Sequence, residues 1–223
     1  MDSAKFQIRQ CLRDSCRFRF PVRAQNDGDV RCPRCGAITQ MVEPVYQFSA
    51  PEIDPRTQGV EIEVILDNIR STYNVGAMFR TADGAGLRHL HLCGMTPTPR
   101  NPRITKTALG AESSVPWSQT PDACALAVEM KANGFQLWAL ESSPLAMSIF
   151  DALPQLAETA PLALVVGNEV TGVDPGILAK CDQVIAIPMQ GVKRSLNVAI
   201  AFGIAAYILR YGRAVHIGKW RMA

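Results

Sequence analysis

Three polar patches in the last two-thirds of the chain hold the residues best suited to chemistry. They are Asn74-Val75-Gly76-Ala77-Met78-Phe79-Arg80, then Val166-Gly167-Asn168-Glu169, then Ile187-Pro188-Met189-Gln190-Gly191-Val192-Lys193-Arg194-Ser195-Leu196-Asn197. Each places small, amide, hydroxyl or charged side chains just beyond an apolar run, where a strand hands over to a loop or helix. Open α/β sheets bind ligands beyond the carboxyl ends of their strands, so the shared position argues for one site. Taken singly, the residues have plainer readings: Asn74 and Ser195 as helix N-caps, Arg80 as a surface helix residue, Glu169 as a solvated carboxylate. A dinucleotide fingerprint does not fit, because Gly84-Ala85-Gly86 precedes a strand and lacks a third glycine. No Walker sequence occurs.

The second available chemistry is metal binding. Cys32-Pro33-Arg34-Cys35-Gly36 sets two thiols two residues apart before a turn-forming glycine. Cys11 and Cys16 complete a four-cysteine set suited to tetrahedral Zn2+. No histidine precedes His89, so this segment has no other strong ligand. Two unconnected pairs of buried thiols, or a redox pair, are the alternatives. So small a module cannot bury a real core, and a metal would be what folds it. His89, His91 and Cys93 alternate along one strand and read as packing, while Cys124 and Cys181 carry no signal.

The elements that must position these groups follow from texture. Residues 1–40 form a basic, cysteine-rich module, and residues 41–60, with Pro44, Pro51, Pro55 and Gly59, read as a linker. From residue 61 to 223 strand and helix signals alternate. Strands are expected at Glu61 to Leu66, Leu87 to Cys93, Phe135 to Leu140, Leu162 to Val166 and Val184 to Ile187. Helices are expected at Val75 to Ala85, at Pro121 to Asn133 after an N-cap-like Thr120, and at Ser195 to Arg210. Gly94 to Pro102, with three prolines, reads as a loop, beside which Arg100, Arg103 and Lys106 cluster without an acid. The pattern implies an α/β fold with a mainly parallel sheet flanked by helices.

Composition narrows the class. At 223 residues, 48% hydrophobic and 19% charged, the chain has the balance of an ordinary soluble protein with one good core and a small accessory module. No apolar stretch reaches the ~20 residues that a membrane helix needs, and no secretory signal core is seen. Seven cysteines without such a signal suit a reducing, cytoplasmic setting. Net charge is +3, yet residues 1–40 hold eight Lys/Arg against four Asp, leaving the remainder at −1. That positive module suits a polyanion such as RNA; a solvated basic face is the alternative. Arg9, Arg13 and Arg17 fall at the spacing of a mitochondrial presequence, but the interleaved cysteines favour a folded module. The tail from Arg213, with Lys219 and Arg221, is basic as well.

The three patches, in their order, resemble the motifs of the TrmH/SpoU branch of the SPOUT superfamily, S-adenosylmethionine-dependent methyltransferases of RNA ribose. The first patch matches that family's Asn…Arg motif through Asn74 and Arg80. The second matches its Gly-x-Glu through Gly167 and Glu169. The third matches Ser-Leu-Asn through Ser195, Leu196 and Asn197 after an Ile-Pro-Met strand end. Lys106-Thr107-Ala108-Leu109-Gly110-Ala111 resembles a further family stretch. The resemblance covers roughly residues 61–210. It implies a trefoil knot at about Leu162 to Arg210, a homodimer, tRNA or rRNA as substrate, and cofactor contacts at Gly167, Ile187 and Leu196.

The resemblance also implies that Arg80 activates the ribose 2′-hydroxyl. Arginine stays protonated, so Arg80 is expected to stabilise the developing oxyanion or organise a phosphate that takes the proton. Asn74, Glu169, Ser195 and Asn197 are expected to position groups rather than move protons. A non-catalytic RNA-binding protein that keeps the knotted fold and a base methyltransferase are the competing functions.

Overall fold

The computed structural model describes residues 5–24, 30–47, 60–157 and 159–216, and the chain divides into two units, Met1–Arg56 and Thr57–Ala223. In the first unit, β1 (Lys5–Cys11) is the centre of a small antiparallel sheet. On one side it pairs with β2 (Arg19–Arg23); on the other it pairs with β3 (Thr39–Met41) at its end and with β4 (Tyr46–Gln47) at its start. Composition assigned Met41, Tyr46 and Gln47 to the linker. Their backbone groups instead complete the ladder of β1, so the first unit extends further along the chain than composition indicated. Residues 48–59 of that linker, and Lys219 and Arg221 of the tail, lie outside the described residues.

The second unit carries seven strands: β5 (Ile62–Asp67), β6 (His89–Cys93), β7 (Trp117–Thr120), β8 (Gln136–Leu140), β9 (Met147–Ser148), β10 (Leu162–Val166) and β11 (Gln183–Ala186). All pairs are parallel, in the order β7-β6-β5-β10-β8-β11-β9. β10 thus enters between β5 and β8. Such a sheet is covered on both faces, and the strands are accordingly rich in aliphatics: Leu162, Ala163, Leu164, Val165 and Val166 are all buried.

Alternation sends Val64, Leu66, Leu90, Leu92, Leu162 and Leu164 to one face. There they pack on α1 (Thr72–Ala85), α2 (Pro102–Ala108), α3 (Ala111–Ser114), α5 (Ile149–Ala152) and α7 (Val198–His216). Ile65, Cys93, Leu137, Ala139, Ala163 and Val165 face the other way, onto α4 (Ala123–Ala132) and α6 (Pro175–Leu178). The result is the expected helix-flanked, mainly parallel α/β layering. Among the described residues no helix is long and apolar enough to cross a membrane.

Helix starts differ from expectation because capping side chains set them. Ser71 caps α1 by accepting from the Asn74 amide at 3.3 Å, so the helix begins ahead of Val75 and Asn74 lies inside its first turn. Asn197 caps α7, accepting from the Ala199 amide at 2.9 Å, so the helix begins three residues past Ser195. Neither Asn74 nor Ser195 is an N-cap. Asn101 caps α2, a helix not expected from the sequence, which carries Arg103 and Lys106. Thr120 ends β7, a strand that sequence reading missed, and Asp122 caps α4 in its place.

Candidate active site

The carboxyl ends of β8, β10 and β11 open into one cavity of about 460 Å3. Val166, Gly167, Asn168 and Glu169 line it from β10, Ala186, Ile187 and Met189 from β11, and Arg194, Ser195, Leu196 and Asn197 from the approach to α7. The second and third patches therefore share a site, at the place an open α/β sheet provides for ligands. Gly167, Ile187 and Leu196 all lie on its wall.

The turn after β10 accounts for Gly167. Asn168 and Gly172 exchange backbone hydrogen bonds at 3.0 Å, folding the chain back on itself. A Cβ at Gly167 would press into the Val173 amide nitrogen and the Gly172 carbonyl. The glycine is required by this close backbone approach, whether or not a ligand is near. Gly172, at φ 74, supplies the left-handed residue of the same turn.

Glu169 reaches across to the start of α1. Its carboxylate accepts from the Arg70 amide at 2.9 Å, the Ser71 amide at 3.1 Å and Asn74 Nδ2 at 2.9 Å. Those amides belong to the helix end, where unpaired N–H groups and the macrodipole favour a negative charge. Burial alone would raise the Glu169 carboxyl, but these donors outweigh it and hold it below the ordinary range. A carboxylate so engaged is a poor proton acceptor and a good strut. Asn74 Oδ1 in turn accepts from Asn197 Nδ2 at 3.2 Å. Asn74, Glu169 and Asn197, one from each patch, form one hydrogen-bonded chain.

Arg80 is placed elsewhere. It lies six residues further along α1, about 9 Å by helical rise, in a separate concavity with Lys106, Thr107 and Tyr207. Its guanidinium is exposed and makes no hydrogen bond or ion pair among the described residues. Within one chain, then, seven of the expected groups converge on the cavity or its edge and Arg80 does not.

Sequence reading also missed Glu141 and Ser142. Glu141 accepts from the Val173 amide at 2.9 Å, which pins the turn after β10, and Ser142 Oγ donates to the Arg194 carbonyl at 3.1 Å. Both follow β8 and line the cavity. The signal available was their position after an apolar strand, in a stretch that matches none of the three patches.

In the first unit, Cys11, Cys16, Cys32 and Cys35 come together with all four sulfurs within 4.8 Å of one another. The Cys11–Cys35 and Cys16–Cys32 sulfur separations are 3.5 and 3.8 Å. A tetrahedron with Zn–S bonds of ~2.3 Å has edges of about 3.8 Å, so the cluster fits that ion. Gly36, at φ 70, turns the second pair, and its amide donates to the Cys32 carbonyl at 2.8 Å. The Ala37 amide pulls the Cys35 thiol down to about 7, whereas burial pushes Cys11 up to about 12. His89 and His91 bond Ser118 at 3.0 and 3.1 Å, and His91 also bonds Glu63. Cys93 is buried in the second core, and these three residues form no metal cluster among the described residues.

Comparison with known proteins places this geometry. The family described as the SpoU rRNA Methylase family matches residues 61–207, which excludes the cysteine unit. The 23S rRNA (guanosine(2553)-2′-O)-methyltransferase RlmP of Bacillus subtilis is 33% identical over 149 residues, 66% of this chain and 57% of RlmP. The tRNA (guanosine(18)-2′-O)-methyltransferase of Aquifex aeolicus is 32% identical over 66% of this chain and 67% of its own length. The chain thus spans little more than half the length of RlmP.

Among solved structures, the A. aeolicus TrmH/SpoU tRNA modifying enzyme superposes with a TM-score of 0.62 at 28% identity, covering 73% of this chain and 79% of that one. The AdoMet-bound rRNA methyltransferase of Sinorhizobium meliloti gives 0.62 at 25% identity, covering 79% and 64%. With the family match spanning all three patches and the parallel sheet that carries them, the chain belongs to the SpoU rRNA methylase family.

Proposed function

We propose that this protein transfers a methyl group from S-adenosyl-L-methionine to the 2′-hydroxyl of a ribose in tRNA or rRNA. The observation that carries the reading is the Asn74–Glu169–Asn197 chain closing one side of a cavity at the strand ends. The relatives' names as 2′-O-methyltransferases and the AdoMet-bound structural neighbour support it. The cavity walls at Gly167, Ile187 and Leu196 would hold the cofactor, which when bound supplies an activated methyl group. The same reading carries the trefoil threading of about Leu162 to Arg210, supported by the insertion of β10 between β5 and β8.

Glu169 and Asn197 fix Asn74 and the start of α1 against the cavity, while Ser195 offers a hydroxyl on its wall. Arg80 stabilises the negative charge that develops on the 2′-oxygen, or a phosphate that takes its proton. Its distance from the cavity of its own chain suits a homodimer in which two protomers share each site. The exposed Ile200 and Tyr207 on α7 support such an interface. The four cysteines bind Zn2+ and fold the basic first unit, an appendage that grips RNA. A cytoplasmic location fits reduced thiols and an RNA substrate.

Labelled methyl transfer from AdoMet to bulk RNA, wild type beside Arg80→Ala, tests the reading when the product nucleosides are identified. Ribose-methylated nucleosides lost in the variant are expected. Base-methylated nucleosides would move the enzyme to another SPOUT chemistry, and AdoMet binding without transfer to any RNA would favour a binding role.

A further inference from the structure

The first unit carries an alternation of cations and rings, Arg17-Phe18-Arg19-Phe20-Pro21-Val22-Arg23. Successive side chains of a strand leave opposite faces, so within β2 Phe20 and Val22 share one face, and Arg19 and Arg23 the other. Strand register sets Phe20 opposite Arg9 and Arg9 opposite Met41. Phe20, Arg9 and Met41 therefore stand on one face of the sheet, Phe18 just ahead of β2 stacks on Phe20, and β2 is the edge strand.

Three features of the unit point to a ligand. The Phe18 and Phe20 rings lie 5.7 Å apart and 21° from parallel, and Phe18 is 38% exposed. Arg9 is pinned beside them by hydrogen bonds to Thr39 Oγ1 at 2.8 Å and the Thr39 carbonyl at 2.9 Å. Elsewhere in the unit, Arg17 pairs with Asp14 and Arg19 with Glu43. Arg13, Arg31 and Arg34 are exposed and have no ionic partner among the described residues.

The exposed Phe18 ring and Met41 side chain leave apolar surface in water unless something covers it, and unpaired guanidinium groups ask for anions. Unpaired nucleotides offer both partners at once: a flat base for the ring and a phosphate for the arginine. A duplex hides its base faces in its own stack and can meet only the arginines. We infer that Phe18 and Phe20, flanked by Arg9, form a stacking platform for unpaired bases of RNA. This rests on RNA being the partner; it adds that the first unit recognises single-stranded segments through base faces.

The test uses the full chain and a fluorescently labelled oligouridylate of twelve nucleotides, with affinity read by anisotropy. Stacking on an aromatic is worth about 1–3 kcal/mol per base, so Phe18→Ala is expected to weaken binding about 5- to 150-fold. Phe18→Trp should retain affinity, and the indole it introduces should be quenched when the oligonucleotide is added. Should Phe18→Ala disturb the small unit, seen as a changed far-ultraviolet circular dichroism spectrum, the tryptophan variant decides. Binding of Phe18→Ala within twofold of wild type, or an unquenched indole, overturns the inference. An RNA duplex whose binding falls equally with Phe18→Ala overturns it too. If wild type transfers no methyl group but binds the oligonucleotide in a Phe18-dependent way, the methyltransferase reading fails and the platform stands.

Discussion

Glu169 and Asn74, 95 residues apart in sequence, meet through a 2.9 Å hydrogen bond that ties the turn after β10 to the first turn of α1. The same carboxylate takes two backbone amides of that helix start. Hydrogen bonds to a charged group contribute about 1.5–3 kcal/mol when well shielded and less when exposed. Glu169→Gln is therefore expected to lower stability by about 1 kcal/mol and to slow methyl transfer tenfold or more by loosening Asn74. Urea unfolding together with single-turnover methylation measures both.

The sign of the acid dependence follows from the donors around Glu169. Its carboxyl is held below its ordinary value of 4.5, so its stabilising contribution is complete above that pH. It is lost as pH falls through the lowered value. The stability difference between wild type and Glu169→Gln should stay constant from pH 6 to 8 and shrink below about pH 4.5. Urea midpoints across that range check this; a difference that grows with acid would contradict it.

Arg80 contributes no partner to the fold, and it lies outside the cavity that would hold the cofactor. Removing one preorganised charge donor typically costs about 2.7–4 kcal/mol in the transition state. Arg80→Ala should lose 100- to 1000-fold in methylation rate by that measure, with unchanged melting temperature and unchanged AdoMet affinity. Near-normal turnover would remove Arg80 from the reaction.

Gly167 has no room for a methyl group, because the Val173 amide and the Gly172 carbonyl already occupy the space. Gly167→Ala should destabilise the second unit by about 1–3 kcal/mol through overpacking. It should also weaken AdoMet binding by displacing the turn that carries Glu169. Calorimetric unfolding and equilibrium dialysis of the cofactor give the two readings.

The four thiols should account for one zinc ion per chain by elemental analysis. Cys32→Ser, or a strong chelator, is expected to abolish it and unfold the first unit, since such modules take their folding energy from the metal. The second unit has its own two cores. AdoMet affinity should therefore survive, while RNA affinity falls.

Much of this was written locally. The order of the three patches, the C-x2-C spacing of Cys32 and Cys35, and the aliphatic runs of β5, β8 and β10 depend only on neighbours in sequence. Family, layer architecture and the gathering of the four cysteines could accordingly be read from them. What the chain could not reveal in one dimension was which distant groups become partners. That Glu169 feeds the helix start of α1 and that Glu141 pins the turn beyond β10 follow from where β10 enters between β5 and β8, and that β7 extends the sheet follows from its pairing with β6. Capping likewise turned on geometry: Ser71 and Asn197 hold the helix ends because their side chains meet free amides, although Asn74 and Ser195 are equally suited by type. Arg80, in the same patch as Asn74, is separated from it in space by the rise of a helix. Sequence determines which chemical groups are present and the local elements that carry them. Only the tertiary structure decides which of those groups share a cavity, because hydrogen bonds and close backbone approach act across a few ångströms regardless of how many residues lie between.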